Sequence, residues 1–311
     1  MSSKFLTTAE QIESLSYLNS IDFFARQIVD GFISGIHKSP YHGFSVEFAE
    51  HRVYNQGESV RHIDWKLFGR TDKLFVKNYE AETNLRCQIV IDCSSSMFYP
   101  TDKTIHKAGY SALCAAAISH MLNRQRDAVG LTLFSGKVDE HFSPHLSNSH
   151  QKLIFSKLDD ILRSKYNTET KTGTATADTL HQIAEVINKR SLVVLFTDMF
   201  TQTPVNEVYE SLEHLRYNKN EVIIFHVTHK KTEHMFELDN RPYKLIDMET
   251  GESFNLNPAE YREYYLQQIK EKFDELKKRC LQYKIELVEA DIDNPFSSVL
   301  SPWLVKRSKL F

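Results

Sequence analysis

Residues 86–96 read Arg-Cys-Gln-Ile-Val-Ile-Asp-Cys-Ser-Ser-Ser, and this stretch decides the fold. Residues 87–91 form a short apolar run that ends on Asp92, the pattern of a strand covered on both faces of a parallel sheet. A second run of the same kind, residues 191–197 (SLVVLFT), is the strongest strand signal in the chain and closes on Asp198. Between the two lie a helical segment at 104–123, an apolar strand at 128–134, and helical segments at 150–162 and 177–188. A helix at 205–215 and a strand at 221–227 follow. Strands alternating with helices predict an α/β, Rossmann-like fold, with a central, mostly parallel sheet and helices on both faces.

Toward the N-terminus, Leu18, Ile21, Ala25, Ile28, Phe32 and Ile36 recur at helical spacing, and Pro40 stops that helix. Residues 41–85 show little helical period and read as irregular or β-rich. The expected division is therefore an N-terminal helix and β-rich extension over 1–85, and an α/β domain over 86–311. Toward the C-terminus, residues 242–247 suggest an edge strand. Asn257-Pro258-Ala259-Glu260 is a helix start, with an Asn cap, Pro first and Glu third. That helix runs to about Tyr283 with Tyr265, Ile269, Phe273, Leu276 and Cys280 on one face. A last strand at 285–288 and a short helix at 295–305 complete the chain.

Composition narrows the function classes. The 311 residues carry 38 Lys+Arg and 41 Asp+Glu, a formal net charge of −3, which argues against a general nucleic-acid binder. Residues 1–10 (MSSKFLTTAE) lack the apolar core of a signal peptide, and no apolar stretch reaches the 18 or so residues that span a bilayer. A cytoplasmic protein without membrane insertion is expected. The four cysteines, Cys87, Cys93, Cys114 and Cys280, form no C-x-x-C pair and read as reduced, buried thiols.

In open α/β sheets functional residues gather at the carboxyl ends of the strands. Asp92 and Asp198 occupy two such ends, and Asp92 opens a D-x-S-x-S run through Ser94 and Ser96. Thr172-Gly173-Thr174-Ala175-Thr176 adds a hydroxyl-rich loop before a helix. Two carboxylates with several hydroxyls suit Mg²⁺ or Mn²⁺, which prefer hard oxygen ligands. Uncharged hydroxyls leave the ion electrophilic, so a partner's carboxylate can complete its shell.

This pattern resembles the metal-ion-dependent adhesion site (MIDAS) of von Willebrand factor A domains. The resemblance implies Asp92, Ser94, Ser96, Thr174 and Asp198 as ligands, with Thr172 a rival to Thr174. Further motifs resemble domain-of-unknown-function family 58. They are Arg52-x-Tyr54-x-x-Gly57-Glu58, Arg61-His62-Ile63-Asp64-Trp65, Arg70-Thr71, Tyr79-Glu80, and the later Asp247-Met248-Glu249-Thr250-Gly251-Glu252. For Arg61, Asp64 and Trp65 a structural role is expected, an Arg–Asp pair beside an anchoring Trp. The resemblance implies a protein-binding module that works with a MoxR-type AAA+ ATPase or that ATPase's client.

Enzyme readings find less support. A dehalogenase-type phosphotransferase wants a second Asp where Ser94 stands, and no G-x-S-x-G elbow occurs. Residues 130–137 have five residues between their glycines, one too many for a phosphate loop, and their interior is strand-like. His141, His145 and His150 cluster in one expected loop without a supporting carboxylate, a poor zinc site. Cys93 is expected to point into the core rather than act as a thiol nucleophile. A metal-dependent hydrolase using the same ion is the remaining alternative, but no general base stands out beside the ligands.

Overall fold

A computed structural model of the chain describes residues 21–36, 51–53, 65–71, 74–77, 85–101, 105–163, 176–199, 205–239, 241–246 and 252–308. In chain order the elements are α1 (Ile21–Ile36), β1 (His51–Val53), α2 (Trp65–Thr71), β2 (Phe75–Lys77) and β3 (Arg86–Asp92). Then come α3 (Lys107–Arg124), β4 (Ala128–Phe134), β5 (Val138–His145), α4 (Asn148–Leu162), α5 (Thr176–Val186) and β6 (Leu192–Thr197). The remainder is α6 (Val205–Tyr217), β7 (Glu221–Thr228), α7 (Lys230–Glu233), β8 (Tyr243–Ile246), β9 (Ser253–Leu256), α8 (Pro258–Gln282), β10 (Glu286–Asp291) and α9 (Phe296–Ser308).

Six strands form the central sheet in the order β10-β7-β6-β3-β4-β5, parallel except for β5. Because side chains alternate across a strand, the central strands carry two cores. Cys87, Ile89 and Ile91 of β3, with Leu192, Val194 and Phe196 of β6, face one layer built from α1, α3, α4 and α9. Val90, Val193 and Leu195 face the other, built from α5, α6 and α8. Every residue of β3 after Arg86 is buried, which explains why the run reads as largely apolar rather than alternating.

The chain leaves β3 toward β4 on one side, whereas β6, β7 and β10 build up the other side. The carboxyl ends of β3 and β6 thus flank the point where strand order reverses. Such a point opens a crevice between diverging loops.

Three sequence readings change. Residues 138–145, expected as a histidine loop, are edge strand β5, antiparallel to β4. Its low apolar content and Pro144 suit an edge, where half the backbone groups need no partner. His150 lies in the first turn of α4, and its Nε2 is 3.0 Å from the Val129 carbonyl oxygen, so it serves local packing. The expected strand at 242–247 is β8, but it pairs with β9 in a separate two-stranded ribbon rather than at the edge of the main sheet. Within 41–85 the seven-residue helix α2 is present where no helical period was legible, since two turns are too short to show one.

The chain divides into two compact units, Met1–Ile33 with Leu85–Phe311, and Ser34–Asn84. The division drawn from sequence at residue 85 differs in one respect: α1 packs into the α/β core. Ile21, Phe24, Ala25 and Val29 are buried there, and the Phe24 ring meets Phe296 edge-on at 5.4 Å. The second unit holds β1 paired antiparallel with β2, and α2, where the Thr71 hydroxyl donates to the Leu67 carbonyl at 2.8 Å. No helix among the described residues is long and apolar enough to cross a membrane.

Candidate functional site

Asp92 ends β3 and Asp198 follows the last residue of β6, so the sheet brings both carboxylates to the strand-order reversal. They are 3% and 2% exposed. Asp92 Oδ1 accepts from the Ser94 N–H at 2.9 Å and Oδ2 from the Thr197 hydroxyl at 2.7 Å. The Thr197 oxygen in turn accepts from the Met199 N–H at 3.0 Å. Met199 has φ 54°, in the left-handed region that a side chain with Cβ rarely adopts, so the backbone turns sharply right after Asp198. The Ser94 and Ser96 hydroxyl oxygens lie 3.2 Å apart at the start of the 3-10 turn Ser95–Phe98.

Burial, and then the neighbouring Asp198 carboxylate, push the Asp92 carboxyl up to about 6, against the pull of its hydrogen bonds. Among the described residues no cation pairs with Asp92. Asp198 is different. Lys107, in the first turn of α3 and 1% exposed, donates from Nζ to Asp198 Oδ2 at 2.7 Å and to Glu233 Oε1 at 2.6 Å. Burial opposes a charge on Lys107, but the Asp198 and Glu233 carboxylates outweigh it and hold the ammonium above the ordinary lysine range. His226 of β7 places Nε2 3.1 Å from the Asp198 carbonyl oxygen, and burial, with His234 beside it, lowers its imidazole to about 4. That ring is therefore neutral near pH 7.

Glu233 belongs to the short helix α7, just beyond β7. Its Oε2 accepts from the His229 N–H at 2.8 Å, and its carbonyl accepts from the Tyr265 hydroxyl of α8 at 2.9 Å. Tyr99 closes the same rim: its carbonyl accepts from the Lys107 N–H at 3.0 Å and its hydroxyl donates to Thr232 at 3.0 Å.

Of the sequence-derived ligands, the structure brings Asp92, Ser94, Ser96 and Asp198 to one sheet edge, and Thr172 and Thr174 lie outside the described residues. So do Tyr54, Gly57, Arg61 and Asp64 of the signature; Arg52 is in β1, Trp65 opens α2, and Arg70 is exposed at the end of α2. Cys93 is buried, in keeping with a core thiol.

Sequence reasoning missed Lys107, Thr197 and Glu233. A lysine opening an otherwise apolar helix was the available signal for Lys107. None marks Glu233, which is 126 positions away.

The donor chemistry fits a hard divalent cation in kind. The side-chain acceptors at this strand end are oxygens: the Asp92 carboxylate and the Ser94, Ser96 and Thr197 hydroxyls. Among the described residues no three His, Cys, Asp or Glu side chains gather closely enough to hold an ion by themselves. An ion at this edge therefore depends on the serine hydroxyls as well.

Curated relatives include uncharacterized proteins of Mycobacterium tuberculosis and Mycobacterium bovis, each 26% identical over 134 residues. The match takes in 43% of this chain and 42% of each relative, so the chain spans less than half the length of the curated relatives it matches. Among solved structures, the conserved hypothetical protein BatB from Bacteroides thetaiotaomicron is 16% identical, with a TM-score of 0.42, over 72% of this chain and 99% of that one. An uncharacterized membrane spanning protein from Vibrio fischeri is 15% identical, with a TM-score of 0.20, over 72% of this chain and 98% of its own. The model of the family described as "Protein of unknown function DUF58" matches residues 50–275, well over half of the sequence. The chain belongs to the DUF58 family.

Proposed function

We propose that this protein is a von Willebrand A-like, metal-dependent binding module that takes an acidic residue of a protein partner through a MIDAS-type ion. Asp92, Ser94 and Ser96, with Asp198 and Thr174, would hold Mg²⁺ (or Mn²⁺). The observation that carries the reading is the buried Asp92 carboxylate, without a cation among the described residues, at the strand-order reversal beside two serine hydroxyls. A bound divalent ion supplies an oriented positive charge with a position left for an incoming carboxylate. The chain's own part is to fix the donors. Ser94 N–H and Thr197 Oγ1 lock the Asp92 carboxylate, and the turn through Met199 aims the Asp198 segment. The expected partner is a MoxR-type AAA+ ATPase or its client, from the resemblance to the family.

Isothermal titration with Mg²⁺, followed by pull-down of a MoxR-type ATPase in Mg²⁺ and in EDTA, tests the reading. Wild type binds the ion and retains the ATPase in Mg²⁺ alone, and Asp92→Ala does neither while remaining folded. Cation-independent capture by folded Asp92→Ala would sink it.

A further inference from the structure

Lys107 is a buried ammonium held by two carboxylates where one would balance its charge. Asp198 Oδ2 is 2.7 Å and Glu233 Oε1 2.6 Å from its Nζ, and the Lys107 and Asp198 side chains are 1% and 0% exposed. An uncompensated buried charge is strongly unfavourable, so a lysine with one partner here could not release it. A lysine with two can. Asp198 is also the carboxylate that an ion at Asp92 would draw on.

We propose that Lys107 is a built-in competitor for Asp198: its ammonium occupies that carboxylate in the ion-free protein, and Glu233 retains the ammonium when Asp198 turns to the ion. This inference rests on the metal-site reading of Asp92 and Asp198. It gives the site a mechanical connection. Glu233 sits on α7, is tied to His229 N–H through Oε2, and is tied through its carbonyl to Tyr265 on the 25-residue helix α8. Moving the ammonium wholly onto Glu233 changes the balance of that junction. Ion occupancy at the end of β3 is then felt in the segment after β7 and at the start of α8. Thermodynamic linkage makes the coupling reciprocal: a partner that grips α7 in its ion-bound arrangement tightens the ion.

Calorimetric Mg²⁺ titration of the full chain tests this with wild type, Asp92→Ala, and a double variant carrying Lys107→Met and Glu233→Gln. The double variant loses one positive and one negative charge, so the net charge of the chain is unchanged. Competition predicts a dissociation constant about tenfold smaller in the double variant, a coupling of ordinary size between linked groups. If wild type binds Mg²⁺, Asp92→Ala abolishes binding and the double variant binds no tighter than wild type, this inference fails and the metal site stands. If neither wild type nor the double variant binds Mg²⁺, both fail. Hydrogen exchange on wild type needs no substitution: saturating Mg²⁺ changes amide protection across residues 230–236. Unchanged protection there in the Mg²⁺-saturated protein overturns the inference even if the double variant does not fold.

Discussion

The Lys107 ammonium and the Asp198 carboxylate stand 2.7 Å apart with both side chains out of water, joining the first turn of α3 to the end of β6. The two residues are 91 positions apart, and their helix and strand meet at the edge where the candidate site lies. Removing one partner of such a pair leaves a buried charge without compensation. Lys107→Met in EDTA should lose about 3–5 kcal/mol of unfolding free energy. Urea unfolding followed by circular dichroism measures it, and a loss under about 1 kcal/mol, the range of exposed pairs, would show that the pair is not held as described.

His106 caps α3, its Nδ1 accepting from the Gly109 N–H at 2.9 Å, and burial lowers its imidazole from 6.5 to about 4. Between those values the unfolded chain binds a proton that the folded chain refuses. Stability from this residue is therefore full above pH 6.5 and is lost as pH falls through 4. His106→Asn keeps a capping acceptor but removes the titration. The pH dependence of its unfolding free energy between those values should be shallower than wild type, by up to about 1.4 kcal/mol per pH unit. Equal slopes in the two proteins would contradict the assignment.

Gly130 lies where the β4–β5 register slips between Val129 and Leu131. A methyl group there would meet the Phe142 carbonyl oxygen at 2.5 Å and the Pro144 nitrogen at 2.8 Å, both backbone, as well as the Gln88 side chain. Gly69 in α2 has nothing within 4 Å of the same position. Gly130→Ala should cost about 1–3 kcal/mol through overpacking. Gly69→Ala should instead gain about 0.5–1 kcal/mol of helix stability. Paired thermal melts decide, and a Gly130→Ala protein as stable as wild type would show the β4–β5 approach to be looser.

Phe24 is 2% exposed and meets Phe296 at 5.4 Å, although the whole second unit separates the two residues in sequence. Phe24→Ala should destabilise the α/β unit by about 3–5 kcal/mol, the range of buried Phe truncations. Near-wild-type stability in chemical denaturation would mean that α1 is an appendage, as a division at residue 85 implies.

The centre of the sheet was legible because β3 and β6 are buried on both faces: residues 87–91 and 191–197 are largely apolar and too short for a helix of ordinary length. β5 was not legible, since at an edge its side chains meet water and its histidines look like a loop. The β8–β9 ribbon was half legible: four-residue strands give too little alternation to reveal which neighbour they pair with.

The amino-acid sequence by itself determined the alternating α/β order, the strand ends that carry Asp92 and Asp198, and the hydroxyls at Ser94 and Ser96 that follow, because hydrophobic period and local spacing are properties of neighbouring residues. The tertiary structure alone decided which charges meet. Thr197 on Asp92, Lys107 between Asp198 and Glu233, and α1 against Phe296 are contacts across 105, 91, 126 and 272 positions, set by strand order and helix packing rather than by any local pattern. Burial then gives those meetings their force, since an ammonium and a carboxylate shut away from water hold each other far more strongly than the same pair on a surface.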